Sequence, residues 1–415
     1  MCSREMKNSG VQWIGKIPKE WSIAPLGQYL KERNEKVSDK DFEPLSVTKQ
    51  GVMKQLENVA KTDNNDNRKK VCKGDFVINS RSNRKQSCGL SELDGSVSVI
   101  NIVLKNIGIE EKYLKYVLKN YGFAEEFYRW GSGIVADLWS TKYEKMKRIM
   151  IPIPDNGAKV GDYLDKKVSQ IDYIILNQRR LIEKYKAYKQ SLITETVTKG
   201  LNKNVPMKDS GIEWIGEIPE TWNINKLKYI CDFQTGTTPP TNEKQYFDGD
   251  VNWFTPSDFN KLELTNSSRK LTELAIKNKV VNEVDKYTTL IIGIGGTAGK
   301  IGYTNVKCSF NQQITALITN KINNRYLMYW MISKIDYVKS TTLYTTLPIL
   351  NNETLKGILI AIGSKDEQQQ IVDFLDKRCK VIESVISKKE QLIEELESYK
   401  KSLIYECVTG KREMN

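Results

Sequence analysis

The chain has 415 residues, enough for two to four domains that each bury a core. Hydrophobic residues make up 39% and charged ones 28%, and Lys and Arg (64) outnumber Asp and Glu (51), giving a net charge of +13 and a pI near 9.1. That balance describes a folded protein with a polyanionic partner, nucleic acid foremost, and the complete lack of histidine excludes Ser-His-Asp and Cys-His catalysis and His-bearing zinc sites.

Seven cysteines (Cys2, Cys72, Cys88, Cys231, Cys308, Cys379 and Cys407) are scattered without a Cys-x-x-Cys spacing, which argues against a zinc cage or a disulfide framework. The N-terminal segment lacks the apolar core of a signal peptide, and no stretch approaches about 18 consecutive apolar residues. A cytoplasmic location with reduced thiols and no membrane partner is expected.

The first element is a motif, Asn8 to Trp21 (NSGVQWIGKIPKEW), whose Trp13 and Trp21 are expected in the core because tryptophan buries a large apolar area. A turn follows at Val47 to Gly51, where Lys49 and Gln50 have the reach for phosphate or base edges. Arg68, Lys69 and Lys70 form a basic group behind an Asp/Asn-rich stretch, 63–67, that reads as a loop. Gly74-Asp75 introduces the β run Phe76-Val77-Ile78, and beyond it Arg81, Asn83, Arg84 and Lys85 form the densest positive cluster in a β-rich region. Loop-borne side chains often carry binding, and Arg and Asn can hold a base edge through two hydrogen bonds. Ser96 to Leu104 reads as a strand, Lys112 to Asn120 as a helix, and Ile149-x-Ile151-x-Ile153 as an alternating strand. From 156 to 200 the pattern is helical, with a heptad seam at Ile171, Ile174, Gln178, Leu181, Tyr185, Tyr188 and Leu192.

The chain then repeats itself. Asp209 to Trp222 (DSGIEWIGEIPETW), with Trp214 and Trp222, restates the opening motif at a shift of 201 residues. Tyr113-Leu114-x-Tyr116 returns as Tyr326-Leu327-x-Tyr329, and the Ile149 alternation as Ile358-x-Ile360-x-Ile362. Leu164-Asp165-Lys166 returns as Leu375-Asp376-Lys377 at a shift of 211, which carries through Ser191-Leu192-Ile193 and Ser402-Leu403-Ile404. In the second copy Thr255, Ser257 and Asp258 stand at the turn corresponding to Lys49 and Gln50. Tyr287 to Ile294 and Ile314 to Ile318 read as strands, Arg325 to Ile335 as a helix, and the glycine-rich loop Gly293 to Lys300 offers Thr297 and Lys300. The last helix, 366–415, has its seam at Ile382, Val385, Lys389, Leu392, Leu396, Tyr399 and Leu403.

Each copy is therefore an α+β globule followed by a long helix: 1–155 and 201–365 are globules, 156–200 and 366–415 helices. Each seam carries a polar residue at the same rung, Gln178 or Lys389, a device that fixes register. A whole globule is built between the helices, so the two are expected to pair antiparallel with the globules at opposite ends. A helix of about 40 residues spans roughly 60 Å, and a turn of duplex DNA about 34 Å, so two such globules could each read a separate stretch of groove.

The repeated W-I-G-x-I-P-x-x-W motif, the globule-helix-globule-helix order and the heptad tails resemble the DNA-specificity subunit of type I restriction-modification systems over essentially the whole chain. Gly74-Asp75, Asn311-Gln312-Gln313 and Lys365-Asp366-Glu367-Gln368-Gln369 are similar to family features; the first helix departs, opening at Asp155-Asn-Gly-Ala-Lys-Val-Gly. The resemblance implies two tandem target-recognition domains separated by an antiparallel coiled coil, each reading half of an asymmetric bipartite site in double-stranded DNA. It implies no catalysis in this chain and no cofactor or metal of its own. Two methyltransferase subunits would bring S-adenosylmethionine, and restriction subunits ATP and Mg.

Enzymatic alternatives find little support. The loop Gly293 to Lys300 misses the Walker A spacing, with Ile301 where Ser or Thr is needed, and lacks the following helix of a dinucleotide fold. Thr238-Pro239-Pro240-Thr241 lacks the flanking residues of an adenine methyltransferase loop, and Glu110-Glu111-Lys112 is a thin basis for a nuclease metal site. A DNA-modifying enzyme and a coiled-coil scaffold without a DNA role remain the alternatives.

Overall fold

The computed structural model describes residues 4–55, 66–133, 139–334, 343–344 and 348–414. The chain forms two compact units, one made of residues up to Arg179 together with Glu390 onward, the other of Arg180–Lys389.

In the first unit an antiparallel four-stranded sheet runs in the order Cys88–Leu90, Phe76–Asn79, Asn101–Asn106, Leu30–Glu32. Ile78 stands opposite Ile102 and Val77 opposite Val103. Phe76, Ile78, Ile102 and Leu104 join the main core with Tyr113 and Leu114 of helix α1 (Glu111–Val117), while Val77 and Val103 join Val71 and Val97 in a second cluster. Burial on both faces explains why these strands read as unbroken apolar runs instead of alternating. The stretch expected as one strand from Ser96 to Leu104 is two, Gly95–Ser98 and Asn101–Asn106, in different sheets. The Asn101 amide donates to the Ser98 carbonyl (3.1 Å) and closes the turn between them.

The second unit repeats the plan. Its five-stranded sheet runs Asp232–Thr235, Ile314–Ile318, Thr289–Ile292, Ile301–Thr304, Glu263–Leu264, with only the last pair parallel. Helix α3 (Asn324–Ser333), expected to reach Ile335, is followed through Ser333; Ile335 lies outside the described residues.

The long helices are α2 (Gly157–Lys199) and α4 (Lys365–Val408), and each unit holds part of both. Helix α2 starts where the Asn156 side chain accepts from the Lys159 amide (2.9 Å). Helix α4 starts on a reciprocal cap: Glu367 accepts from the Ser364 amide (2.8 Å) and Ser364 Oγ from the Glu367 amide (3.3 Å). Both end on a left-handed glycine, Gly200 (φ +72) and Gly410 (φ +69). Gly410 sits against Pro18 and Trp21, and Gly200 against Trp222 and Pro219, so the repeated Ile-Pro-x-x-Trp is the seat for a helix end. Trp13, Trp21 and Trp222 are buried as expected, whereas Trp214 is only partly buried beneath Lys334.

The repeated tyrosines fasten globule to helix. In the first unit the Tyr113 hydroxyl is shared between the carbonyls of Pro152 (2.7 Å) and Val408 (2.9 Å), and Tyr116 donates to Asp165 (2.6 Å). In the second, Tyr326 is shared between Ala361 (2.8 Å) and Val197 (3.2 Å), and Tyr329 donates to Asp376 (2.6 Å).

The helices pair antiparallel. In the first unit Arg179 bonds Glu397 (2.9 Å) and Lys400 bonds Asp172 (2.6 Å); in the second Lys189 pairs with Glu383, and Lys389 lies over the Tyr185 ring. The seam differs in phase from the expected one. Ile174, Leu181, Tyr188, Leu392 and Tyr399 are exposed, whereas the residues one position on, Ile175, Ile182, Lys189, Ile393 and Lys400, are buried or half-buried, as are Ile193 and Ile386. Heptads can step four-three or three-four from Ile171 and Ile382, and both helices take the four-residue step first. Because apolar residues occupy both alternatives, as at Ile174-Ile175, Leu181-Ile182 and Leu392-Ile393, the pattern alone does not choose. Gln178, Tyr185, Leu192, Val385, Lys389 and Leu396 are half-buried, and Ile171, Ile382 and Leu403 fully so.

Candidate nucleic-acid interface

Two candidate loops occupy equivalent places. Arg81, Asn83, Arg84 and Lys85 lie between the paired strands Phe76–Asn79 and Cys88–Leu90; Thr297 and Lys300 lie between the paired strands Thr289–Ile292 and Ile301–Thr304. Each hairpin is the same corner of its sheet, since Ile78 faces Ile102 in one and Ile292 faces Ile314 in the other.

The loops themselves differ. In the first, Arg81 begins a single 3-10 turn, Ser82–Arg84, after its amide donates to Asn79 (3.1 Å), and Gln86 (φ +63) returns the chain to the sheet. Arg81, Asn83 and Arg84 project into solvent, while Lys85 is tied to Glu125 (3.0 Å). In the second, Gly299 donates to Ile292 (2.7 Å) and Ile292 to Lys300 (2.9 Å), with Gly295 (φ +110) and Gly299 (φ +85) taking conformations that favour glycine. Thr297 and Lys300 are exposed on it. Strand-turn-strand geometry supplies no helix N-terminus, so the loop is a hairpin and not a nucleotide cradle.

The other pair of turns is less alike. Lys49 and Gln50 are the exposed tip of a hairpin joining Leu45–Thr48 to Gly51–Lys54, braced by Thr48, whose hydroxyl accepts from the Gln50 amide (3.1 Å). Thr255, Ser257 and Asp258 form a 3-10 turn in which the Asp258 carboxylate accepts from the Thr255 amide (2.7 Å), the Thr255 hydroxyl (2.8 Å) and the Ser268 amide (2.8 Å). Asp258 thus holds its turn together, and only Ser257 is fully exposed. Burial pushes the Asp258 pKa up, but hydrogen bonds from Ser268 and Thr255 outweigh it and leave it lowered. A depressed carboxyl pKa stabilises above the unfolded value, about 3.9, and that stability is lost as pH falls through the folded one. Asp258→Asn is therefore expected to lower the thermal midpoint at neutral pH and to flatten its decline below about pH 4; an undiminished acid decline in the variant counts against this assignment.

The basic group at 68–70 is structural: buried Arg68 donates to Ser96 Oγ (2.8 Å) and the Ser96 carbonyl (3.0 Å), while Lys69 pairs with Glu32 and Lys70 with Glu35. Most of the Asp/Asn-rich stretch before it, 63–65, lies outside the described residues.

Sequence alone did not single out a cleft of about 790 Å³ in the first unit. Lys49, Gln50 and Gln86 stand at its edge, bringing the first hairpin tip and the exit of the Arg81 loop to one place, and Lys73, Lys119 and Lys401 line it. These last three are far apart in the chain, and the available signal was a difference between repeats: Lys119 and Lys401 have Ile332 and Gln190 as counterparts.

Residues 219–398 match the family described as the type I restriction modification DNA specificity domain. The chain is 32% identical over 186 residues to the type I restriction enzyme MjaIX specificity subunit of Methanocaldococcus jannaschii, a match that covers 43% of this chain and 41% of that one. It is 24% identical over 319 residues to the MjaVIII specificity subunit of the same organism, covering 72% of this chain and 70% of that one. A chain from a solved type I restriction-modification assembly shares the fold with a TM-score of 0.72 at 14% identity, covering 95% of this chain and 99% of the other. The fold is thus that of two tandem α+β units with paired long helices. Residues 219–398 carry a type I restriction modification DNA specificity domain, and the chain as a whole is similar to specificity subunits of that kind. Among the described residues no helix is long and apolar enough to cross a membrane.

Proposed function

We propose that this chain is the noncatalytic DNA-reading subunit of a type I complex, in which each globule reads one half of an asymmetric bipartite target. The paired helices set the half-site separation and dock two methyltransferase subunits, which carry S-adenosylmethionine; ATP- and Mg-dependent restriction subunits add to that core. Exposed Tyr173, Ile174, Leu176 and Tyr188 on α2 supply apolar surface for such docking. The reading is carried by one observation: the same sheet corner bears a cationic 3-10 loop in the first unit and a glycine hairpin in the second. A shared scaffold with unlike tips is what separate readers of unlike sequences require.

Mapping methylated adenines in cells carrying the chain with its methyltransferase should reveal a bipartite motif with an unspecified gap. Exchanging residues 1–155 for another family member's first globule should change one half of that motif and leave the other intact. Alteration of both halves would defeat the modular reading, and an active methyltransferase whose motif ignores the chain would favour a scaffold.

A further inference from the structure

We propose that the cleft of the first unit holds a DNA phosphodiester backbone through Lys73, Lys119 and Lys401, an inference that rests on the DNA-reading function above and says where part of the backbone runs. These three lysines and Lys49 are exposed and make no ion pair among the described residues, although they line one cleft. The other lysines there are neutralised: Lys112, Lys115 and Lys400 pair with Asp162, Asp165 and Asp172. Two unpaired carboxylates, Glu92 and Glu111, also face the cleft, so an excess of positive charge remains. Gathering like charges without counterions costs free energy that a bound anion returns.

The second repeat shows that the scaffold does not demand this. There Gln190, the counterpart of Lys401, donates from its amide to the carbonyls of Ile332 (2.9 Å) and Ser333 (3.4 Å), and Ile332 is the counterpart of Lys119. One repeat thus ties the long helix to the end of the short helix by hydrogen bonds, while the other places two ammonium groups at the same positions around an open cleft. The wall is bare backbone where Gly51 and Gly89 meet; a Cβ on Gly89 would lie 2.9 Å from Gly51 Cα. The Lys49-Gln50 tip and Gln86, at the exit of the Arg81 loop, line this cleft, so a strand passing that tip meets it. Flexible lysines suit phosphates, fixing position and adding affinity without choosing bases.

The test uses the chain assembled with its methyltransferase and a fluorescent duplex bearing the motif mapped in cells, against a scrambled duplex, across a range of salt. Each phosphate contact contributes about 0.9 to the slope of log K against log salt. Lys73→Gln/Lys119→Gln/Lys401→Gln is expected to lower that slope by about 2 to 3 and weaken binding at least about tenfold at physiological salt, with unchanged preference for the motif. Glutamine is what the second repeat carries at the Lys401 counterpart, and an unchanged circular-dichroism melt certifies the fold. Unchanged slope and affinity in the variant, with the wild type still discriminating, overturns the cleft assignment alone; so does lost motif preference in a folded variant. Tight binding of sodium tripolyphosphate that the duplex fails to displace overturns it in favour of a nucleotide-type site. A wild-type complex that cannot tell the two duplexes apart overturns the DNA-reading function itself, and the inference with it.

Discussion

Gly410→Ala is expected to destabilise the first unit by about 2–5 kcal/mol, more than the same change at Gly10, although both glycines have nearly the same positive φ (+69 and +73). The left-handed conformation costs an alanine about 1–2 kcal/mol at either site. At Gly10 nothing lies within 4 Å of a new Cβ, so that is the whole cost. At Gly410 the Cβ would stand 2.4 Å from Pro18 Cδ and 2.6 Å from Pro18 Cγ, ring atoms that cannot rotate away. Overpacking adds about 1–3 kcal/mol. Gly200 falls between, since its nearest neighbour is a Trp222 ring carbon at 3.4 Å. Urea unfolding of the three variants should rank them Gly410, Gly200, Gly10; similar losses at Gly410 and Gly10 would mean that the helix end is not seated on the motif.

Arg325→Ala should cost the second unit about 2–3 kcal/mol, a figure discounted from the 3–5 of a fully buried pair because the carboxylates are about a third exposed. The guanidinium donates to Asp376 (2.6 Å) and to Glu263 (2.8 Å) while lying over the Tyr303 ring, so it joins an edge strand, α3 and α4. Burial pulls the Arg325 pKa down, but the two carboxylates outweigh it and hold it above its ordinary value. Removal leaves Glu263 with the Asn305 amide alone and Asp376 with the Tyr329 hydroxyl. Arg325→Lys should recover only part of the loss, since an ammonium cannot match the guanidinium's fork. In the first repeat the counterpart Lys112 makes a different pair, with Asp162, and Asp165, the counterpart of Asp376, pairs with Lys115. A lysine variant as stable as the parent would refute the bridging role.

The repeated motifs were legible because they perform the same packing task in both units. Trp21 and Trp222, for example, each lie against the glycine that ends a long helix, Gly410 and Gly200. The seam phase was not legible, because adjacent apolar residues such as Ile174 and Ile175 satisfy either step and only the partner's position decides. Among the candidate contacts, composition marked Arg81 and Lys85 alike, yet Lys85 has Glu125 as partner, a residue of a helix 40 positions away. Asp258 looked like a polar loop side chain because the amide of Ser268, the third donor to its carboxylate, comes from a separate turn. The lysine cleft escaped notice because it assembles from three distant segments.

Leu403, Cys407 and Val408 are buried in the core that contains Trp13 and Trp21, and Lys411 donates to the Ile14 carbonyl (2.8 Å). The globule synthesised first is therefore completed by residues that leave the ribosome after Arg180–Lys389. At about 5–20 residues per second this delay is on the order of 10–40 s. During that interval the face that will receive Leu403 and Val408 is open to water, so a nascent chain is most exposed to chaperones, or to mispairing with another copy's helix, at its oldest part.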